Sequence, residues 1–121
     1  MNRQEVIDFI ENEFDVRPEY LWESFPDYAV FRNRKNKKWF ALVAGIEKRK
    51  LGLDGNERIS VLNVKCDPIL IGSLLHNEGF LPAYHMSKKS WITIRLDGSA
   101  PDEQIKDLIR LSYELISKKG R

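Results

Sequence analysis

The sequence predicts an α+β domain: a single, largely antiparallel sheet with helices packed on one face, in the order α-β-β-β-α-β-α. Three observations predict it. Apolar residues recur at helical spacing near residues 6, 70 and 108, they alternate at strand spacing between these stretches, and the first three strands are separated by polar loops that suit hairpins. At 121 residues and 42% hydrophobic, residues 1–121 suit one domain with a real core.

The first helix is expected from about Asn2 to Phe14. Asn2 and Glu5 have capping-box spacing, and Val6, Ile7, Ile10 and Phe14 form one apolar stripe. Beyond the Pro18 to Pro26 connection, Tyr28–Arg32 and Lys38–Ile46 read as strands around the polar tip NRKNKK. In the second strand, strict alternation places Phe40, Leu42, Ala44 and Ile46 on one face and Trp39, Ala41 and Val43 on the other. Asp54-Gly55 marks a turn before the strand Arg58–Cys66. Asp67-Pro68 then starts a helix, with Leu70, Ile71, Leu74 and Leu75 on its apolar side and Gly79 as its stop. A strand over Trp91–Leu96 follows. The last helix opens around Pro101 and carries Ile105, Leu108, Ile109, Ser112, Leu115 and Ile116 on one side, with Gly120 just past its end.

The net charge of +2 conceals a strong polarity along the chain. Residues 1–27 carry Arg3 and Arg17 against eight acids, whereas residues 28–50 carry Arg32, Arg34, Lys35, Lys37, Lys38, Lys48, Arg49 and Lys50 against Glu47 alone. Such clusters either keep loops solvated or meet an anionic partner, since cations gain free energy by displacing counterions from phosphates. If Leu62, Val64, Ile92, Ile94 and Leu96 face the helices, alternation sends Asn63, Lys65, Trp91, Thr93 and Arg95 to the opposite, wetter face. There Trp91 is either a stacking platform or a packing residue.

Chemistry is densest in PAYHMSKKSW, residues 82–91. His85 is the only acid-base candidate there, and its structural alternative is to hydrogen-bond loop backbone. No nucleophile elbow, phosphate loop or metal-ligand spacing surrounds the serines, Cys66, His76 or His85, so neither catalysis nor a metal or cofactor is expected. The acids of the first helix, Glu5, Asp8, Glu11, Glu13 and Asp15, read as a solvated face. The lone cysteine suits a reducing compartment, and the absence of a long apolar run or a signal-like start suits a cytoplasmic protein.

Four stretches together carry a resemblance: Val64-Lys65-Cys66-Asp67-Pro68; Pro82-Ala83-Tyr84-His85-Met86 with Lys88, Lys89 and Trp91; Leu96-Asp97-Gly98 before Pro101-Asp102; and Leu111-Ser112-Tyr113-Glu114-Leu115. Through them the chain resembles the MmcQ/YjbR family of small bacterial proteins, departing at Ser87, where members usually have Asn, and at Ser90, where they often have His. The resemblance implies a CyaY-like, frataxin-related fold and DNA binding through a double wing of hairpins. The matching wings are Asn33–Lys38 and Glu47–Glu57. Read from the residues themselves, Lys65, Lys88, Lys89 and Arg95 extend that footprint over the sheet, with Trp91 the candidate stacking platform. Two other readings stand beside it: an interaction module for an acidic protein partner, and a small-molecule or metal site at Tyr84, His85 and Lys65.

Overall fold

Asn2 and Glu5 close the expected capping box, each side chain accepting the other's backbone N–H at 2.9 Å, and so fix the start of α1, Arg3–Phe14. The computed structural model describes residues 1–118; Gly120 lies outside that range. After α1 come β1 (Ala29–Arg32), β2 (Trp39–Glu47), a 3-10 turn (Lys48–Leu51), β3 (Arg58–Lys65), α2 (Pro68–Leu74), β4 (Phe80–Pro82), β5 (Trp91–Arg95) and α3 (Asp102–Ser117). Every pairing is antiparallel and the strand order is β1-β2-β3-β5-β4. The α+β class and the expected order hold, with a three-residue edge strand added.

That strand follows directly on the glycine expected to end the second helix. Asp67 caps α2 as expected, accepting from the Ile69 N–H at 2.9 Å, but the helix stops at Leu74. Gly79 instead adopts φ +96 against Ala100 and accepts the Arg95 N–H at 2.8 Å, which leads Phe80 into the sheet edge. Leu75, beyond the helix, is exposed.

All three helices cover one face. Ile7 and Ile10 of α1, Ile71 of α2 and Ile105 and Ile109 of α3 are buried in one cluster with Val43, Leu62, Val64, Ile92 and Ile94. At the start of β2 the expected alternation fails. Phe31 pairs with Ala41 and Arg32 with Trp39, so Phe40 is an inserted residue, a β-bulge. Phe40 therefore joins Ala41 and Val43 on the helix side, while Trp39 falls on the face of Leu42, Ala44 and Ile46.

The opposite face is not the wet surface that alternation alone predicts. Tyr28, Val30, Leu42, Ala44, Ile46 and Val61 form a second buried cluster, with Tyr84 and Met86 packed on it. Asn63 and Thr93 do point that way, but both are buried: the Thr93 hydroxyl donates to the Asn63 side-chain oxygen and accepts the Tyr84 N–H at 2.9 Å. That pair satisfies polar groups that burial would otherwise leave costly, and it ties the residue 83–86 loop to the sheet.

Candidate nucleic-acid interface

In an antiparallel sheet the end of β1, the start of β2, the end of β3 and the start of β5 share one edge of the molecule. That edge gathers Lys35, Lys37 and Lys38 from the first hairpin, Lys65 at the end of β3, and Lys88 and Lys89 just before β5. None of these six lysines is paired with a carboxylate among the described residues. The hairpin is held rigidly. The Asn33 carboxamide oxygen accepts the Lys35 and Asn36 N–H groups at 2.7 and 3.2 Å, its nitrogen donates to Ser117 Oγ at 3.0 Å, and Asn36 donates to the Ile116 carbonyl at 2.8 Å. Its lysines thus sit by the C-terminus of α3, where the helix dipole favours positive charge.

The second basic loop is at the other end of β2, about 27 Å away at the rise of an extended strand. It is also charge-balanced. Within residues 47–57, Lys48, Arg49 and Lys50 meet Glu47, Asp54 and Glu57, with Lys48 bound to Glu57 at 3.6 Å and Arg49 and Lys50 to Glu47 at 3.4 and 3.7 Å. The two hairpins therefore do not merge into one positive surface.

Other expected contacts are committed inside the molecule. Arg32 pairs with Glu19 at 3.1 Å, Arg34 with Asp15 at 2.8 Å and Arg95 with Asp97 at 2.6 Å. Trp91, only 9% exposed, is a packing residue and no open stacking platform. Three acids of α1 are likewise engaged: Glu5 caps the helix, Asp8 accepts from Gln4, and Glu13 holds Arg110 at 3.0 Å.

Between the two ends, β2 floors an aromatic cleft of about 270 Å³ on the outer face. Trp22, Phe25 and Tyr28 wall one side; His85 and Met86 wall the other; Leu42 is the floor and Trp39 closes the lysine-rich end. Trp22 meets Trp39 edge to face at 5.8 Å, and the Arg32 guanidinium lies 5.9 Å from the Trp39 ring. Towards the second hairpin a compartment of about 210 Å³ continues past Phe25, Tyr28 and His85 to Lys50 and Arg58. Burial, with the neighbouring Tyr84 and Asp27, pushes the Tyr28 pKa up. Sequence reasoning missed this cleft, although the aromatics at 20, 22 and 25 between Pro18 and Pro26, with Tyr28 just beyond, were the available signal.

The YjbR family model matches residues 14–115. This chain belongs to the YjbR family. It is 38% identical to the Bacillus subtilis protein YyaQ over 95% of this chain and 98% of that one. It is 33% identical to Escherichia coli YjbR over 62% of this chain and 56% of that protein. A crystal structure of a Pseudomonas syringae protein superposes with a TM-score of 0.93 at 45% identity, covering 95% of this chain and 98% of that chain. The Deinococcus radiodurans protein DR2400 gives 0.70 at 27% identity, over 95% and 80% respectively.

In this YjbR-family chain the PAYHM loop builds the cleft wall. Pro82 ends β4, Tyr84 is anchored through Thr93, and His85 takes a left-handed backbone, φ 64, that presents its ring to the cleft beside Tyr84 at 4.0 Å. Lys88 donates to the Ala83 carbonyl at 3.0 Å and closes the loop beneath. Cys66 is buried, and burial raises its thiol pKa, which keeps it an unreactive apolar group. No described helix is long and apolar enough to cross a membrane.

Proposed function

We propose that this YjbR-family protein binds DNA, chiefly through its phosphates and with little sequence selectivity, and that the role is binding without catalysis. The observation that carries the reading is the convergence of Lys35, Lys37, Lys38, Lys65, Lys88 and Lys89, each without a carboxylate partner among the described residues, on one end of the sheet. Unpaired cations attract phosphates, whereas cations already neutralised by a neighbour contribute little. The second hairpin, expected to act as an equal wing, is therefore a minor contributor in this reading.

A salt series of DNA binding tests it. If all six lysines contact phosphates, log affinity against log salt has a slope of about −4 for single strands and about −5 for duplex. Exchanging Lys35, Lys37 and Lys38 for Gln flattens the slope by about 2 to 3 units, while exchanging Lys48, Arg49 and Lys50 changes it by less than about 1. Weak, salt-insensitive binding that is the same for all three proteins would defeat the proposal.

A further inference from the structure

We propose that the aromatic cleft on the outer sheet face seats an unpaired nucleobase, so that the protein prefers single-stranded to duplex nucleic acid; this rests on the DNA-binding reading and names its substrate class. The cleft's chemistry is that of a stacking site. Trp22 and Phe25, which line it, are 36% and 45% exposed, large apolar side chains that soluble proteins usually cover. A volume of about 270 Å³ with an apolar floor at Leu42 suits one ring system. Bases inside a duplex hide their faces against one another, so only a single-stranded or extruded base reaches such a site.

Position links the cleft to phosphate binding. One end is closed by Trp39, which follows Lys38 directly, and the far wall at Met86 leads within two and three residues to Lys88 and Lys89. A base in the cleft thus has its flanking phosphates at the lysine-rich end. At the opposite mouth Lys50 and Arg58 face the adjoining compartment, but Arg58 is held by the Gly45 carbonyl at 2.7 Å and by Asp27 at 3.2 Å, and Lys50 by Glu47. This leaves the Trp39 end as the one bordered by cations without a carboxylate partner among the described residues.

The test compares a short fluorescein-labelled oligothymidylate, an abasic strand of the same length and charge, the matching duplex, and free thymidine monophosphate at low salt. The oligothymidylate is expected to bind roughly 10- to 100-fold more tightly than the abasic strand and to quench tryptophan emission. Trp22→Ala and Phe25→Ala, both at the exposed lip, each remove most of that preference without altering the salt slope; two variants guard against one failing to fold. Equal binding of the abasic and normal strands, both salt-dependent, overturns the base site and leaves the phosphate reading standing. Absence of binding by every strand overturns both. Tight binding of the mononucleotide with no gain from chain length overturns the strand as the source of the base.

Discussion

Asp97 accepts the Ser99 N–H at 3.1 Å and the Ser99 hydroxyl at 2.5 Å, while the Arg95 guanidinium lies 2.6 Å from its other oxygen. Burial alone would raise its pKa, but the Ser99 hydrogen bonds and the Arg95 charge outweigh burial and hold the carboxyl below the ordinary aspartate range. A depressed folded-state pKa means that the stabilisation is complete above the unfolded value of about 3.9 and is lost as pH falls through the folded value. Asp97→Asn is therefore expected to lower the urea midpoint at pH 7, with the gap from the native protein closing below about pH 4. A gap that persists at low pH would assign the effect to the turn's shape. The same pairing explains why Arg95, read from alternation as a DNA contact, is withdrawn from the surface charge. Alternation reports the face a residue points to, and it carries no information on the carboxylate waiting two residues later.

At the scale of elements, the bulge in β2 and the serine of α3 are one device. The β2–β3 ladder ends at Ala41 and Val64. Beyond it the Ser112 hydroxyl donates to the Phe40 carbonyl at 2.6 Å and accepts the Lys65 N–H at 2.9 Å, filling the gap between the strands from the helix side. Ser112 is fully buried. Ser112→Ala leaves a buried donor and a buried acceptor without partners, and is expected to cost about 2 to 4 kcal/mol in denaturant unfolding. Ser112→Thr, which keeps the hydroxyl, separates that loss from the tightness of packing. A loss under about 0.5 kcal/mol on the Ala exchange would mean that water or a relaxed ladder replaces the hydroxyl. The sequence carried the helical stripe that puts Ser112 on the buried side of α3, and so its place on the apolar face was legible. Its bridging role was not, because the inserted Phe40 obeys no local periodicity and is revealed only by strand pairing. Gly79 was misleading for a related reason: glycine permits a positive φ after a helix and equally at the entrance to a strand, and here it serves the second, at φ +96 just before Phe80.

For the molecule as a whole, helix caps, hydrophobic spacing and hairpin loops were enough to read the α+β order, and with the PAYHM and LSYEL segments they were enough to read the family. The candidate binding surface was legible only in part. Charge counted along the chain found the cations of residues 28–50 but stopped short of Asp54 and Glu57, which neutralise the second loop. A meander of antiparallel strands must put consecutive hairpins at opposite ends, and that topological rule separates the two expected wings by the length of β2. In exchange the fold gathers Lys65, Lys88 and Lys89, far apart in sequence, beside the first hairpin, and lays an aromatic cleft against them. The aromatics of residues 20–28 gave no periodic signal because they lie in irregular chain, and it is the outer face of the sheet that organises them.

Whether one lysine-rich end and the cleft beside it form the nucleic-acid site is decided by mapping backbone amide shifts of the labelled protein during titration with oligothymidylate at low salt. Saturating shifts are expected at Trp22, Phe25, residues 35–39, Lys65 and residues 85–89, with residues 48–57 nearly still. Shifts centred on residues 48–57 or on the exposed surface of α3, with the lysine-rich end unmoved, would contradict it.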